Sequence, residues 1–485
     1  MREVLIGRNR EVEELRGWLN SDRSEFIAVY GRRRVGKTFL IKKAIGSEFA
    51  FVYTGIYGAT RKDQLLNFIL ALREQSGDST IPTVDNWILA FYELKKYIER
   101  SPKSKKIIFL DELPWIDTPK SGFLSALENF WNGWCAWRED IKLIVCGSAT
   151  SWIINKIIKN KGGLHNRLTH RMLITPFDLR ATEEYFRVYG FSFSQMQVAE
   201  CYMTMGGIPY YFSLMNNGES LAQNIDRLFF SAEGALKGEF DELYRALFKN
   251  YKNYVRVIEA LAQKGIGLTR QEILQLTKLT NNGEFGKILE ELELCGFIRS
   301  YLPFEPKLSK RSKSGKTKRA TLYQLIDFYT LFYLRFHQQQ KVGNERFWES
   351  NINSTLLNAW RGITFEMLCL CHVQQIKKSL GIGDVSTKIC SWIGKGTDSK
   401  VQIDLLIDRA DGAINLCEMK FSFKEFVIDK KYSENLQNKI EVFIEETGTD
   451  KSILLTLVST KGLHQNIYSH IIQRQVKLSD LFVEV

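Results

Sequence analysis

Nothing in the 485-residue chain approaches the roughly 20 consecutive apolar residues that a membrane-spanning helix requires. Its opening, Met1-Arg2-Glu3-Val4-Leu5-Ile6-Gly7-Arg8, has no apolar core of secretory-signal length, so a cytoplasmic setting without a membrane partner is expected. No Cys-x-x-Cys pair occurs among the eight cysteines, and several sit inside apolar segments such as Ile144-Val145-Cys146-Gly147, which reads as reduced core thiols. The six histidines are nowhere paired with cysteines at ligand intervals, which argues against a zinc site. Acid is missing altogether from residues 307–319, where Lys307, Lys310, Arg311, Lys313, Lys316, Lys318 and Arg319 concentrate part of a net charge of +12. That imbalance points to a polyanion. Apolar residues make up 44% of the chain and charged residues 25%, enough for three or four domains that each bury a core.

What the chain does contain is Gly31-Arg32-Arg33-Arg34-Val35-Gly36-Lys37-Thr38, an unbroken G-x-x-x-x-G-K-[ST] phosphate loop. Glycines at both ends let the backbone turn its N–H groups toward an anion, Lys37 reaches the outer phosphates, and the Thr38 hydroxyl is available to Mg²⁺. The apolar run Phe26–Tyr30 before it reads as a strand, and Phe39–Ala44 after it as the start of a helix whose dipole adds to the anion site. A second apolar strand, Lys106–Leu110, ends in Asp111-Glu112. In that company Asp111 is expected in the Mg²⁺ shell and Glu112 beside the attacking water. ATP and Mg²⁺ are the implied ligands.

Ile6-Gly7-Arg8-Asn9-Arg10-Glu11, a helix, and then the phosphate loop resemble the opening of AAA-type ATPases of the archaeal ATPase family, relatives of the STAND signalling ATPases. The resemblance implies that this opening lies near the adenine. It also implies that strand Lys142–Gly147 is the sensor strand, with Ser148 facing the γ-phosphate or its water; read from residues alone, Ser148 begins a turn or caps a helix at 151–158. Arg167 falls where the family carries its arginine near the nucleotide, with Arg171 in reserve, acting within one subunit or across an interface, so a homo-oligomer stays open. Met205-Gly206-Gly207-Ile208-Pro209-Tyr210-Tyr211 resembles the family's Gly-Gly-x-Pro lid motif, in which the proline abuts the adenine.

The expected architecture is an α/β P-loop core over 1–178, a helical lid over 179–245, a winged helix over 246–338 and a distinct domain over 351–485. In the winged helix, Thr269 and Glu272 form a capping box, 282–294 is the recognition helix, and the basic tract 307–319 is the tip of the wing. That wing either tracks a phosphate backbone, DNA for example, or is a solvated loop on a hinge. In the last segment Val401–Ile407 and Ala413–Lys420 read as strands joined by a turn at Asp411-Gly412. Period two puts Glu418 and Lys420 on one face, with Asp404 alongside. Two carboxylates to hold Mg²⁺ and a lysine to position water make a phosphodiester-cleaving set. The order of Glu366 on a helix, Asp404 on a strand and Glu418-x-Lys420 on the next resembles the PD-(D/E)xK restriction-endonuclease-like fold. The absence of a proline before Asp404 and the short hairpin leave room for a degenerate binding module. The function expected is Mg²⁺-dependent ATP hydrolysis that switches a nuclease-like tail; the alternatives are a STAND-like regulatory switch with an inactive tail, and a DNA-binding regulator without turnover.

Overall fold

The computed structural model describes residues 4–159, 163–164, 166–304, 321–337, 344–394 and 401–485. The basic tract 307–319 lies outside the described residues. Two compact units emerge, one formed by Met1–Pro176 with Ile208–Tyr210 and the other by Phe177–Gly207 with Tyr211–Val485.

The first unit is built on five parallel strands, β1 (Glu25–Tyr30), β2 (Phe49–Thr54), β3 (Lys106–Asp111), β4 (Ile141–Gly147) and β5 (His170–Leu173), in the order β2-β3-β4-β1-β5. Strands β1, β3 and β4 are buried almost throughout, as strands covered on both faces must be. Alternate residues serve alternate cores. Phe26, Ala28, Ile108, Leu110, Leu143 and Val145 join helices Arg61–Ser76, Trp87–Arg100 and Phe123–Gly133 in one cluster, while Ile27, Val29, Phe109 and Ile144 are buried outside it. The apolar run Val4–Ile6 reads as a short strand from sequence, but it forms none: Ile6 is buried, and its backbone joins no ladder among the described residues. The helix expected at 151–158 starts at Thr150 and loosens into wider turns after Ile153.

In the second unit, helices Leu179–Val188, Gln195–Met205 and Glu239–Leu247 precede three helices, Tyr251–Leu261, Arg270–Thr277 and Gly283–Leu294. Around these lies a small antiparallel sheet of β6 (Leu268–Thr269), β7 (Ile298–Tyr301) and β8 (Leu322–Leu325), in the order β6-β8-β7. The Thr269–Glu272 capping box is present.

The C-terminal sheet comprises β9 (Thr387–Gly394), β10 (Val401–Arg409), β11 (Ala413–Lys420), β12 (Ser452–Ser459) and β13 (Arg474–Lys477). The pairs β9/β10 and β10/β11 are antiparallel, and β11/β12 and β12/β13 are parallel. Helix Lys430–Thr447, N-capped by Asp429, contributes Leu436 and Phe443 to the core of this sheet. Helix Thr355–Cys371 is fixed at its other face to Gln195–Met205, where Arg361 Nε meets Glu200 Oε1 and the Thr364 hydroxyl meets Met203 Sδ. No helix among the described residues is long and apolar enough to cross a membrane.

Candidate functional site

Strand order decides where chemistry can occur in the first unit. Because β1, β3 and β4 are neighbours that pair in parallel, their C-terminal ends open together on one edge, where ligands of parallel α/β sheets bind. The loop after β1 has its first glycine at φ 147°, and a Cβ there would stand 2.1 Å from the Ile174 carbonyl oxygen, so only glycine fits. At the other end Gly36, at φ 89°, enters helix Lys37–Ile45 with no side-chain cap, leaving the first amides of that helix to a ligand. Between them Arg34 is also left-handed, at φ 72°, and its guanidinium lies 4.0 Å from the ring centroid of Tyr210. Tyr210 directly follows Pro209, the first residue of a short helix.

Lys37 is buried, and its ammonium donates to the carbonyls of Gly31 (2.9 Å) and Arg32 (2.8 Å). A buried cation held by carbonyls at the mouth of an uncapped helix suits an anion of several charges. The Thr38 hydroxyl donates to Asp111 Oδ2 at 2.8 Å, so a hydroxyl and a carboxylate face the same point, as a Mg²⁺ ion with few protein ligands requires. Phe39 is half-buried beneath Lys43, 5.3 Å from its ring centroid.

Glu112 adopts φ 49°, a left-handed conformation that costs an ordinary side chain roughly 1–2 kcal/mol. Such strain gathers at functional positions. Its carboxylate is fastened by Ser148, whose amide donates to Oε2 at 3.1 Å and whose hydroxyl donates to the same oxygen at 2.9 Å. Burial pushes the Glu112 carboxyl above its ordinary range and repulsion from Asp111 adds to this, while Lys37 and the Ser148 hydrogen bonds oppose it. Thus Ser148, expected toward the γ-phosphate, is engaged with Glu112. Lys37, Thr38, Asp111, Glu112 and Ser148 are brought together. Arg167 is not among them: it is exposed in a turn after Leu164, and Arg171 is exposed on β5 opposite Ala28.

Residues 5–215 match the family described as an ATPase domain predominantly from Archaea. The chain carries a P-loop ATPase domain. Over 408 residues the chain is 24% identical to an uncharacterized protein of Methanocaldococcus jannaschii, covering 83% of this chain and 84% of the relative. A 40-residue stretch is 48% identical to an uncharacterized ATP-binding protein of the same organism, covering 8% of this chain and 68% of that one. Among solved structures, the Walker-type ATPase of Pyrococcus abyssi aligns at 18% identity and a TM-score of 0.49, over 69% of this chain and 97% of that one.

Outside the ATPase domain, the C-terminal sheet gathers a second set of charges. The β10/β11 ladder runs up to Leu405 opposite Cys417, and Asp404 and Glu418, the next residue on each strand, are near enough to repel one another. Glu418, 8% exposed, accepts from Lys420 Nζ at 2.9 Å through Oε1 and from Lys439 Nζ at 2.9 Å through Oε2, and the Tyr432 hydroxyl also donates to Oε1. Burial works to raise the Glu418 pKa, but Lys420 and Lys439 outweigh it and hold the carboxyl at about 2. Burial, then repulsion from Glu418, raises that of Asp404, which accepts a hydrogen bond from Gln402. Glu366 faces the same group from helix Thr355–Cys371; burial and then Asp404 push it up to about 7. No three histidine, cysteine, aspartate or glutamate side chains among the described residues gather as a metal cage. A hard cation here would rest on Asp404 and Glu418, in keeping with Mg²⁺ sites that use one or two carboxylates. Lys439 and Tyr432 were not anticipated from sequence, although their spacing of seven residues on one helix puts them on one face.

Proposed function

We propose that this chain binds ATP at the loop 31–38 and hydrolyses it with Mg²⁺, and that its nucleotide state governs a C-terminal domain directed at nucleic acid. The observation that carries the first part is the Thr38–Asp111 hydrogen bond beside Lys37, with Glu112 held one residue away by Ser148. Amides of residues 35–38 and the Lys37 ammonium would bind the phosphates, with Arg32, Arg33 and Arg34 adding positive charge. Mg²⁺, held by the Thr38 hydroxyl and Asp111, would neutralise charge on the β- and γ-phosphate oxygens. Glu112 accepts the proton of the water that attacks the γ-phosphorus, and the bond to the β–γ bridging oxygen breaks with its electron pair leaving on ADP. Arg167 supplies a finger only from a rearranged turn or a neighbouring copy.

We read 179–245 as the lid, with Pro209 against the base, 246–338 as a winged helix and 351–485 as a restriction-endonuclease-like domain. The order helix, β6, helix, helix, β7, β8 supports the winged helix. Its third helix turns Glu284, Glu290 and Glu293 outward against Lys287, with Arg270 packed on Phe285 in its first turn, a face that carries more acid than base. Contact with DNA is therefore assigned to the C-terminal domain and the basic tract. Asp404 and Glu418 would hold the metal there, and Lys420 would steady the phosphate. A regulatory switch with an inactive tail is the second reading, favoured by the full engagement of Glu418. Glu112→Gln is expected to keep ATP affinity and to lose turnover by about 10²–10⁴-fold in a phosphate-release assay. Metal-dependent plasmid nicking that is present in wild type and lost in Glu418→Ala and Lys420→Ala supports a live tail; equal outcomes for all three remove it.

A further inference from the structure

We infer that Lys439 is an internal counter-ion that guards the C-terminal carboxylate site, so that a divalent cation loads fully only when a phosphodiester draws the ammonium away. This rests on the metal-site reading of Asp404 and Glu418. Both oxygens of Glu418 are already taken, Oε1 by Lys420 and Tyr432 and Oε2 by Lys439. A dication approaching Glu418 from the Asp404 side must displace one of these donors and tolerate the charge of the others.

The three donors are not equivalent. Lys420 belongs to the same strand as Glu418, two residues on, and its ammonium also lies over the Tyr432 ring at 5.8 Å. Lys439 comes from another element, helix Lys430–Thr447, and its side chain is 20% exposed at the end of a flexible four-carbon stem. It alone holds Oε2. Turning Lys439 outward frees that oxygen for a cation and presents the ammonium to solvent, where a phosphodiester is its natural partner. Metal and phosphodiester then favour each other although they touch different groups, and the coupling must be reciprocal.

The test is calorimetric titration of Ca²⁺, a hard oxygen-seeking cation, into full-length wild type, Lys439→Gln, Lys439→Met and Glu418→Gln, with and without a short DNA duplex and with duplex-alone blanks. Wild type is expected to bind Ca²⁺ at least about fivefold more tightly with duplex present, the lower end of ordinary coupling between sites. Both Lys439 variants should show that gain without duplex and gain less than about twofold from adding it. Lys439→Met keeps an unbranched stem in place and so separates loss of the charge from loss of the fold. Variants that match wild type, or a wild type indifferent to duplex, overturn the inference. Glu418→Gln binding Ca²⁺ as wild type does would instead remove the metal-site reading beneath it.

Discussion

Ser148 and Glu112 show how a short contact can change the meaning of a residue. Ser148 at the end of β4, which the family resemblance places toward the γ-phosphate or its water, uses its hydroxyl and amide to hold the carboxylate that would take a proton from that water. These hydrogen bonds favour the ionised form of Glu112, so Ser148→Ala should raise the pKa of that carboxyl further. In the proposed hydrolysis, Glu112 must be ionised to take the proton of water. The acid limb of kcat against pH should therefore move to higher pH in Ser148→Ala, with KM little changed, a shift that a purely structural serine would not cause. Glu366 offers a stability counterpart. Its pKa, raised to about 7 in the folded chain, means that folding favours its protonated form. The stability it contributes is present below the ordinary glutamate range and is lost as pH rises through about 7. Glu366→Gln should thus gain roughly 2 kcal/mol over wild type at pH 8.5 and nothing near pH 4, read from denaturant midpoints.

At the scale of elements, the segment Ile208–Tyr210 belongs to the first unit and places the Tyr210 ring beneath Arg34. The next residue, Tyr211, is buried in the second unit, with its hydroxyl on Glu239 and its ring 5.0 Å from that of Tyr329. Tyr210→Ala should weaken ATP binding about fivefold through loss of a cation–π contact of ~1 kcal/mol, while Tyr210→Phe should bind as wild type does; equilibrium titration with a fluorescent nucleotide distinguishes them. Such contacts explain what the sequence could and could not disclose. The phosphate loop and the strand ending in Asp111-Glu112 are written in consecutive residues, and a short turn at residues 410–412 brings β10 and β11, with Asp404 and Glu418, side by side. Arg34 on Tyr210, Ser148 on Glu112 and Lys439 on Glu418 are joined across 176, 36 and 21 positions of chain, and no local period announces them. Val4–Ile6 likewise joins no ladder among the described residues, since an apolar side chain such as Ile6 can be buried by packing without a strand to pair with.

On the scale of the whole molecule, an ATPase domain and a charged C-terminal sheet share one chain, and the account makes the first the engine of the second. In the winged-helix reading the helix that would enter a groove is acidic on its open face, which leaves DNA contact to the basic tract and the C-terminal domain. Everything upstream of the tail then depends on the loop between β1 and helix Lys37–Ile45 holding a triphosphate. Calorimetric titration of ATP with Mg²⁺ into wild type and Lys37→Ala tests this most directly. The account predicts saturable binding by the wild type and a loss of at least about a hundredfold in affinity when the buried ammonium is removed. Undiminished affinity in Lys37→Ala would contradict it.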